Sequence, residues 1–329
     1  MNRIGILGAA EIAHRMFVPA LNQSPDFVCV GVAAGAFDPP DKKLRFRESY
    51  NLEVFDEPDS FLHLIERPDV DALYIPQPPA LHFEWAKLAL QHGKHVFLEK
   101  PSTDQGGRTR ELVALAKEKK LVLQENYMFQ YHAQLSAIRH MLDEDTVGDL
   151  RLVRGTFGFP LRAQNDFRYN KTLGGGALLD AGGYVVKLAA LLLGQDLWLN
   201  SASMGFMDGF DVDMFGSVSF TNPDGLVFQG AYGMDCHYQC ALELWGSKGK
   251  LTAPRIFTAP PGFSPIILLE TAEGKQEIPL PSDDHFLASL LTFSRAFEDT
   301  ALKNKMYDDM ILQTNLIDQI RARALGDLL

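Results

Sequence analysis

The chain has 329 residues, of which 46% are hydrophobic and 22% charged; that length suggests two domains, and that balance rules out disorder as the main state. Its formal net charge of -11 repels nucleic acid and anionic membrane surfaces, so neither is expected as a partner. Three cysteines, Cys29, Cys236 and Cys240, are too few for a disulfide scaffold and fit a reducing compartment.

The first residues, Met1-Asn2-Arg3-Ile4-Gly5-Ile6-Leu7-Gly8, lack the basic stretch, apolar core and cleavage site of an export signal. No apolar run is expected to reach bilayer-spanning length, and the cytoplasm is the expected location. Residues 4–7, 28–33, 72–75, 95–98 and 121–124 read as buried strands. Between them, apolar residues recur at helical spacing, as in Ile12, Met16 and Leu21, or Leu81, Trp85 and Leu88. This alternation predicts a parallel sheet covered on both faces over residues 1–125.

The pattern changes in residues 126–329. A helix over 133–142 and a strand over 150–159 precede a loop rich in Arg, Asn and Asp, a Gly174-Gly175-Gly176 break and an apolar helix over 177–193. Consecutive strands follow, punctuated by Asn222-Pro223-Asp224-Gly225 and Gly246-Ser247-Lys248-Gly249, and helical stretches over 285–298 and 306–324 close the chain. Strands without intervening helices predict an antiparallel sheet, hence an α+β second domain. Cys236-x-x-x-Cys240 lies among these strands without a second pair of ligands, and no metal site is expected.

Gly8-Ala9-Ala10-Glu11-Ile12-Ala13 follows the first strand and opens the first helix. It is a degenerate G-x-G-x-x-G/A: Gly8 allows the tight turn, Ala10 lets a pyrophosphate approach, and Ala13 allows close helix–strand packing. The phosphates would lie on the helix N-terminus. No acid that could take the ribose hydroxyls of NAD follows the second strand until Asp38, past the expected point, whereas Lys42, Lys43 and Arg45 follow and suit a 2′-phosphate. NADP is favoured over NAD on that ground, while a solvated helix face accounts for the same three residues at least as well.

Glu99-Lys100-Pro101 ends the strand over 95–98. With the Gly8 loop, Tyr74-Ile75-Pro76-Gln77-Pro78-Pro79-Ala80-Leu81-His82, Glu125-Asn126-Tyr127-Met128-Phe129-Gln130-Tyr131-His132, Gly174 to Tyr184, and Trp245-Gly246-Ser247-Lys248-Gly249, it makes six pieces in order. Together they resemble the glucose-fructose oxidoreductase/inositol dehydrogenase/rhizopine-catabolism (Gfo/Idh/MocA) family along nearly the whole chain. The resemblance implies an α/β N-terminal Rossmann domain plus an α+β domain with a large, open, mostly antiparallel sheet. That sheet commonly forms the oligomer interface, so a homodimer or homotetramer is expected. It also implies hydride transfer between a nicotinamide and a carbohydrate-like alcohol or ketone.

Carried over position by position, Lys100 falls on the family's catalytic-site lysine. Tyr184 stands where many members have His, as in a Tyr-containing branch, and Asp180 lies one helical turn before it, on the same face. Gly8, Ala10, Glu11, Ile12, Ala13, Pro76, Gln77, Pro78, His82, Glu99, Lys100 and Pro101 are the expected cofactor residues, with Pro101 commonly cis. Asn126, Tyr127, Arg168 and Asp180 are expected at the substrate. Pro79 replaces the usual Asn or Thr, Gln130 a common Arg, and Lys187 an Asp, which speaks against inositol; Lys187 itself is expected at the surface, with a phosphate- or carboxylate-facing position as the alternative. A cation at a strand end can hold the reacting oxygen and favour a neighbouring phenolate. The favoured function is a keto-sugar reductase, with a nucleotide-linked deoxysugar as the expected substrate. Oxidation of a free sugar or trans-dihydrodiol is the enzymatic alternative, and an inactive dinucleotide-binding sugar sensor the non-enzymatic one.

Overall fold

The short apolar runs of the first third form β1 (Asn2–Leu7), β2 (Phe27–Ala33), β3 (Val54–Phe55), β4 (Ala72–Ile75), β5 (His95–Glu99) and β6 (Leu123–Asn126). The structure, a computed structural model, describes residues 1–35 and 38–326. The strands pair in the parallel order β3-β2-β1-β4-β5-β6. In such sheets ligands sit beyond the carboxyl ends of the strands, where the order reverses. The order reverses between β1 and β4, so the turns after Leu7 and Ile75 flank one crevice.

On one face of this sheet Leu73, Ile75, Val96 and Leu98 pack with Leu90, Leu112 and Ala116 from the crossover helices. The other face is aromatic: Phe17 stacks on Tyr74 with centroids 3.8 Å apart, and Phe97 meets Phe293 edge-on at 5.2 Å. Phe293 comes from the end of the chain. The first compact unit comprises Met1–Asn126 and Phe286–Ile311; within it Tyr307 donates to the carbonyls of Leu121 and Ala116. β6 begins two residues later than the pattern suggests. Val122 donates its N–H to His95 Nδ1, so the ladder with β5 starts only at Leu123 and carries Asn126 as its last rung.

The second unit comprises Tyr127–His285 and the chain from Leu312. Its strands are β7 (Leu150–Gly158), β8 (Trp198–Phe206), β9 (Asp213–Thr221), β10 (Val227–Gly233), β11 (Gln239–Gly246), β12 (Gly249–Ala253), β13 (Ile266–Thr271) and β14 (Gly274–Pro279). They pair as β14-β13-β12-β11-β7-β10-β9-β8, antiparallel except for the parallel β7–β10 pair. The helix Gly183–Leu193 lies against β7 and β10. A Cβ added at Gly230 would lie 2.3 Å from Val185, and one at Gly155 would lie 3.1 Å from Leu188. These two glycines are what let the helix come so close.

Two expectations are corrected here. The helical stretch Lys171–Leu193 does have the length and mean hydropathy, 1.6, of a membrane-crossing segment, but 78% of its most apolar window is buried. A core helix covered all round reads as apolar as a membrane span. For the same reason Lys187 is not at the surface: it is 4% exposed, enclosed with the rest of its helix. The three thiols are free.

Candidate active site

In the first unit, β1 ends in Gly8 at φ +119°. A Cβ there would fall 1.7 Å from Gln77 Nε2, and that amide donates to the carbonyl of Leu7 at 2.8 Å. Gly8 is thus the only residue that fits, and Gln77 knits the Gly8 loop to the Pro76-Gln77-Pro78 turn. Ala10, Glu11 and Ile12 lead into a helical run over residues 11–23 whose turns at Ala13–Phe17 are π-helical. Wide turns of that kind recur at functional sites. Ala13 is wholly buried beneath the loop. This strand–loop–helix, in which a helix N-terminus follows the tight Gly8 turn and the small Ala10, fits a dinucleotide pyrophosphate.

Asp38 departs from the expectation of an acid set too far along the chain. Its Oδ2 accepts from the N–H of Gly35 at 2.8 Å and of Ala9 at 3.1 Å, which returns a carboxylate to the mouth of the Gly8 loop. Arg45, expected toward a 2′-phosphate, instead pairs with Glu11 at 3.1 Å.

At the end of β5, Glu99 is buried and accepts at 2.9 Å from both Tyr74 Oη and Asn126 Nδ2. Burial raises its pKa; the Asn126 and Tyr74 hydrogen bonds and the Lys100 charge pull it back. Lys100 follows, half-buried at the crevice, and the Lys100–Pro101 peptide is cis. His82 is completely enclosed, with Nδ1 2.9 Å from the carbonyl of Pro101 and Nε2 2.5 Å from that of Gln77. Burial drives its pKa down to about 4 against the pull of those carbonyls. It therefore ties the Pro-x-Pro turn to the Lys100–Pro101 turn and reaches a ligand only through them. Pro79 starts the helix Pro79–Gln91 and is buried.

In the second unit, Tyr184 sits in the helix Gly183–Leu193 within an aromatic box. Its ring meets Tyr127 at 5.2 Å and Phe157 at 5.1 Å, both near edge-on, and its hydroxyl lies 3.5 Å from Met128 Sδ. Tyr127 is buried, its hydroxyl so close to Gly183 that a Cβ there would lie 2.1 Å away. Gln313 donates to the Gly183 carbonyl at 2.8 Å and pins that turn. Asp180 occupies the π-helical turn Leu178–Gly182, and Arg168 reaches it with Nε to Oδ2 at 2.7 Å. Nη1 of Arg168 also meets Asp166 at 3.1 Å.

The structure thus gathers the Gly8 loop, the Pro76–Pro78 turn, Glu99, Lys100, Pro101 and Asn126 in one unit, and Tyr127, Arg168, Asp180 and Tyr184 in the other. Three supports have no clear sequence signal. Tyr74 reads only as a strand residue. Ser289, which donates to Asn126 Oδ1 at 2.8 Å, lies far along the chain. Asp213 accepts the N–H of Leu178 at 2.6 Å, with Gly176 wrapped so tightly round it that a Cβ would lie 2.4 Å from Oδ1. The residue types suit proton transfer at a carbonyl or alcohol: a strand-end ammonium, a phenol among aromatic rings, and a carboxylate one turn before it.

Comparison with known proteins agrees with this chemistry. Residues 2–127 match the family model described as an oxidoreductase family with NAD-binding Rossmann fold, and residues 135–252 match the GFO/IDH/MocA C-terminal domain. A dTDP-3,4-didehydro-2,6-dideoxy-alpha-D-glucose 3-reductase from Actinomadura kijaniata is 35% identical over 98% of this chain and 95% of its own. A protein of the same description from Saccharopolyspora spinosa is 36% identical, covering 98% of both. A trans-1,2-dihydrobenzene-1,2-diol dehydrogenase from Xenopus laevis is 30% identical over 64% of this chain. Among solved structures, a 3-ketoreductase from Actinomadura kijaniata in complex with NADP and TDP-benzene superposes with a TM-score of 0.91, at 35% identity and 98% coverage of each chain.

Proposed function

We propose, since this chain belongs to the GFO/IDH/MocA oxidoreductase family, that it is an NAD(P)-dependent ketoreductase acting on a nucleotide-linked deoxysugar. The 3-reductases that match it over nearly their whole length, and the NADP held by the solved 3-ketoreductase, support both the substrate class and NADP as the partner. The observation that carries the reading is the half-buried Lys100 at the end of β5, next to a buried Glu99 fixed by Tyr74 and Asn126.

The Gly8 loop, the Pro76-Gln77-Pro78 turn and Glu99 to Pro101 would hold the dinucleotide, which would supply the hydride. Lys100 hydrogen-bonds the carbonyl oxygen and stabilises the negative charge that grows there. Tyr184 delivers the proton to that oxygen. A phenol can give its proton to an alkoxide, which is much the stronger base. Asp180 orients the sugar hydroxyls; Asn126, expected at the substrate, is wholly buried with its amide engaged by Glu99 and Ser289, and acts instead by fixing Glu99 behind Lys100. The second unit's open sheet face carries Trp245 and Phe215, each about half exposed, and suits a homodimer or homotetramer. Free thiols and net negative charge suit a cytoplasmic setting.

The test follows NADPH or NADH consumption with a panel of dTDP-linked and free keto-sugars. Lys100→Ala and Tyr184→Phe are each expected to lower kcat by about 10²–10³-fold. Turnover of Lys100→Ala at the wild-type rate overturns the mechanism. Dinucleotide binding without turnover on any sugar favours the sensor instead.

A further inference from the structure

In the loop before the Tyr184 helix, Arg168 makes ties through both its backbone and its side chain. Arg168 uses its backbone carbonyl to accept the N–H of Gly176 at 2.9 Å, while its side chain holds Asp180 at 2.7 Å and Asp166 at 3.1 Å. A Cβ added at Gly175 would lie 2.4 Å from the Arg168 carbonyl oxygen; the glycine run lets the chain fold onto Arg168. The guanidinium lies over the Phe167 ring, 4.6 Å from its centroid. The three charged side chains are 20%, 18% and 12% exposed, so the network is largely shielded from water, where a charge-assisted contact is strong and a missing partner costly.

The guanidinium is thus engaged on two sides by carboxylates of its own chain. Burial alone would lower its pKa, but Asp180 and Asp166 outweigh that and raise it, so it stays a cation at every working pH. Asp180, four residues before Tyr184 and in a π-helical turn, receives a fixed orientation from this contact.

We propose that Arg168 is a positioning residue: it sets the carboxylate of Asp180, and through it the turn that leads into Tyr184, rather than binding substrate itself. This rests on the reading of Asp180 and Tyr184 as active-site residues. Asp166 is the second anchor, and keeps Arg168 in place when Asp180 engages a sugar hydroxyl. Loss of a group that binds substrate directly raises KM at unchanged kcat, whereas loss of a group that orders the reacting arrangement lowers kcat.

The experiment compares Arg168→Lys, Arg168→Gln, Asp180→Asn and the Arg168→Gln/Asp180→Asn pair, using steady-state kinetics and thermal melting of each protein. Arg168→Gln is expected to lower kcat by about 10–100-fold with less than a threefold change in KM. Arg168→Lys, which keeps the charge, should recover part of the loss. The double variant should be no worse than Asp180→Asn alone, because Arg168 acts through that carboxylate. A raised KM with intact kcat, or losses that multiply in the double variant, overturns the proposal. If Arg168→Gln does not fold, Arg168→Lys decides by the same kcat-against-KM split. A wild-type protein that binds dinucleotide and reduces no sugar defeats the underlying functional reading, and is told apart because it appears before any variant is made.

Discussion

Glu99 and Asp38 are two carboxylates put to different use by the same sheet. Glu99 is enclosed, satisfied by Tyr74 and Asn126, and backs Lys100. Asp38 joins the loops after β1 and β2 through two N–H groups, at the place where a ribose hydroxyl or a 2′-phosphate is read. Asp38→Asn keeps an acceptor for those N–H groups and removes the charge. Its ratio of NADPH to NADH affinity is expected to rise about tenfold, the scale of one screened charge–charge contact. Fluorescence titration of both nucleotides measures it, and an unchanged ratio makes Asp38 a purely structural tie. At this scale Glu99-Lys100-Pro101 was legible because its residues are contiguous and sit at a strand end. Counting along the chain sets Asp38 past the Gly8 loop, whereas its hydrogen bonds to Gly35 and Ala9 bring its carboxylate back to that loop. Tyr74 and Ser289 were invisible because their partners lie on other elements.

Helix boundaries and their anchors set the next scale. The helix that carries Tyr184 is held at its start by Asp213, on β9, and at Asp180 by Arg168. Burial raises the Asp213 pKa to about 6, with the Leu178 N–H and Arg321 opposing it. The folded state therefore binds a proton more readily than the unfolded chain, whose Asp titrates near 3.9. The associated stability is fully present below about pH 4 and is lost as pH rises through about 6. Its size is roughly 3 kcal/mol. Urea denaturation of wild type and Asp213→Asn from pH 4 to 7 should show their stability difference changing by about that amount in favour of the variant. A constant difference refutes the assignment. The apolar run over 177–193 announced this helix from sequence, and the Gly174-Gly175-Gly176 break announced its start. Which acid caps it depends on strand pairing, and that was not written locally.

For the whole molecule, both fold classes were legible, because strand–helix alternation and uninterrupted strands are patterns of many residues. β3 escaped notice, being only two residues long. The open face of the second sheet combines a cross-strand charge ladder, Arg154–Glu243–Lys250–Glu270, with the exposed rings of Trp245 and Phe215. Exposed rings beside fixed charges are the composition that the proposed homo-oligomer would need on this face. Trp245→Glu is expected to shift the protein toward smaller species in light scattering, with NADPH affinity unchanged; an unaltered mass removes Trp245 from any interface.

The division of the chain between its units also has a history in time. Residues 1–126 leave the ribosome well before the segment Phe286–Ile311 that completes their unit, which emerges only after the whole second sheet has been made. At about 5–20 residues per second, that delay is on the order of 10–40 s. Through it the nascent sheet lacks Phe293 against Phe97, Tyr307 against Leu121 and Ser289 against Asn126. The sheet of the first unit thus waits with an apolar flank uncovered until residues 286–311 arrive to close it.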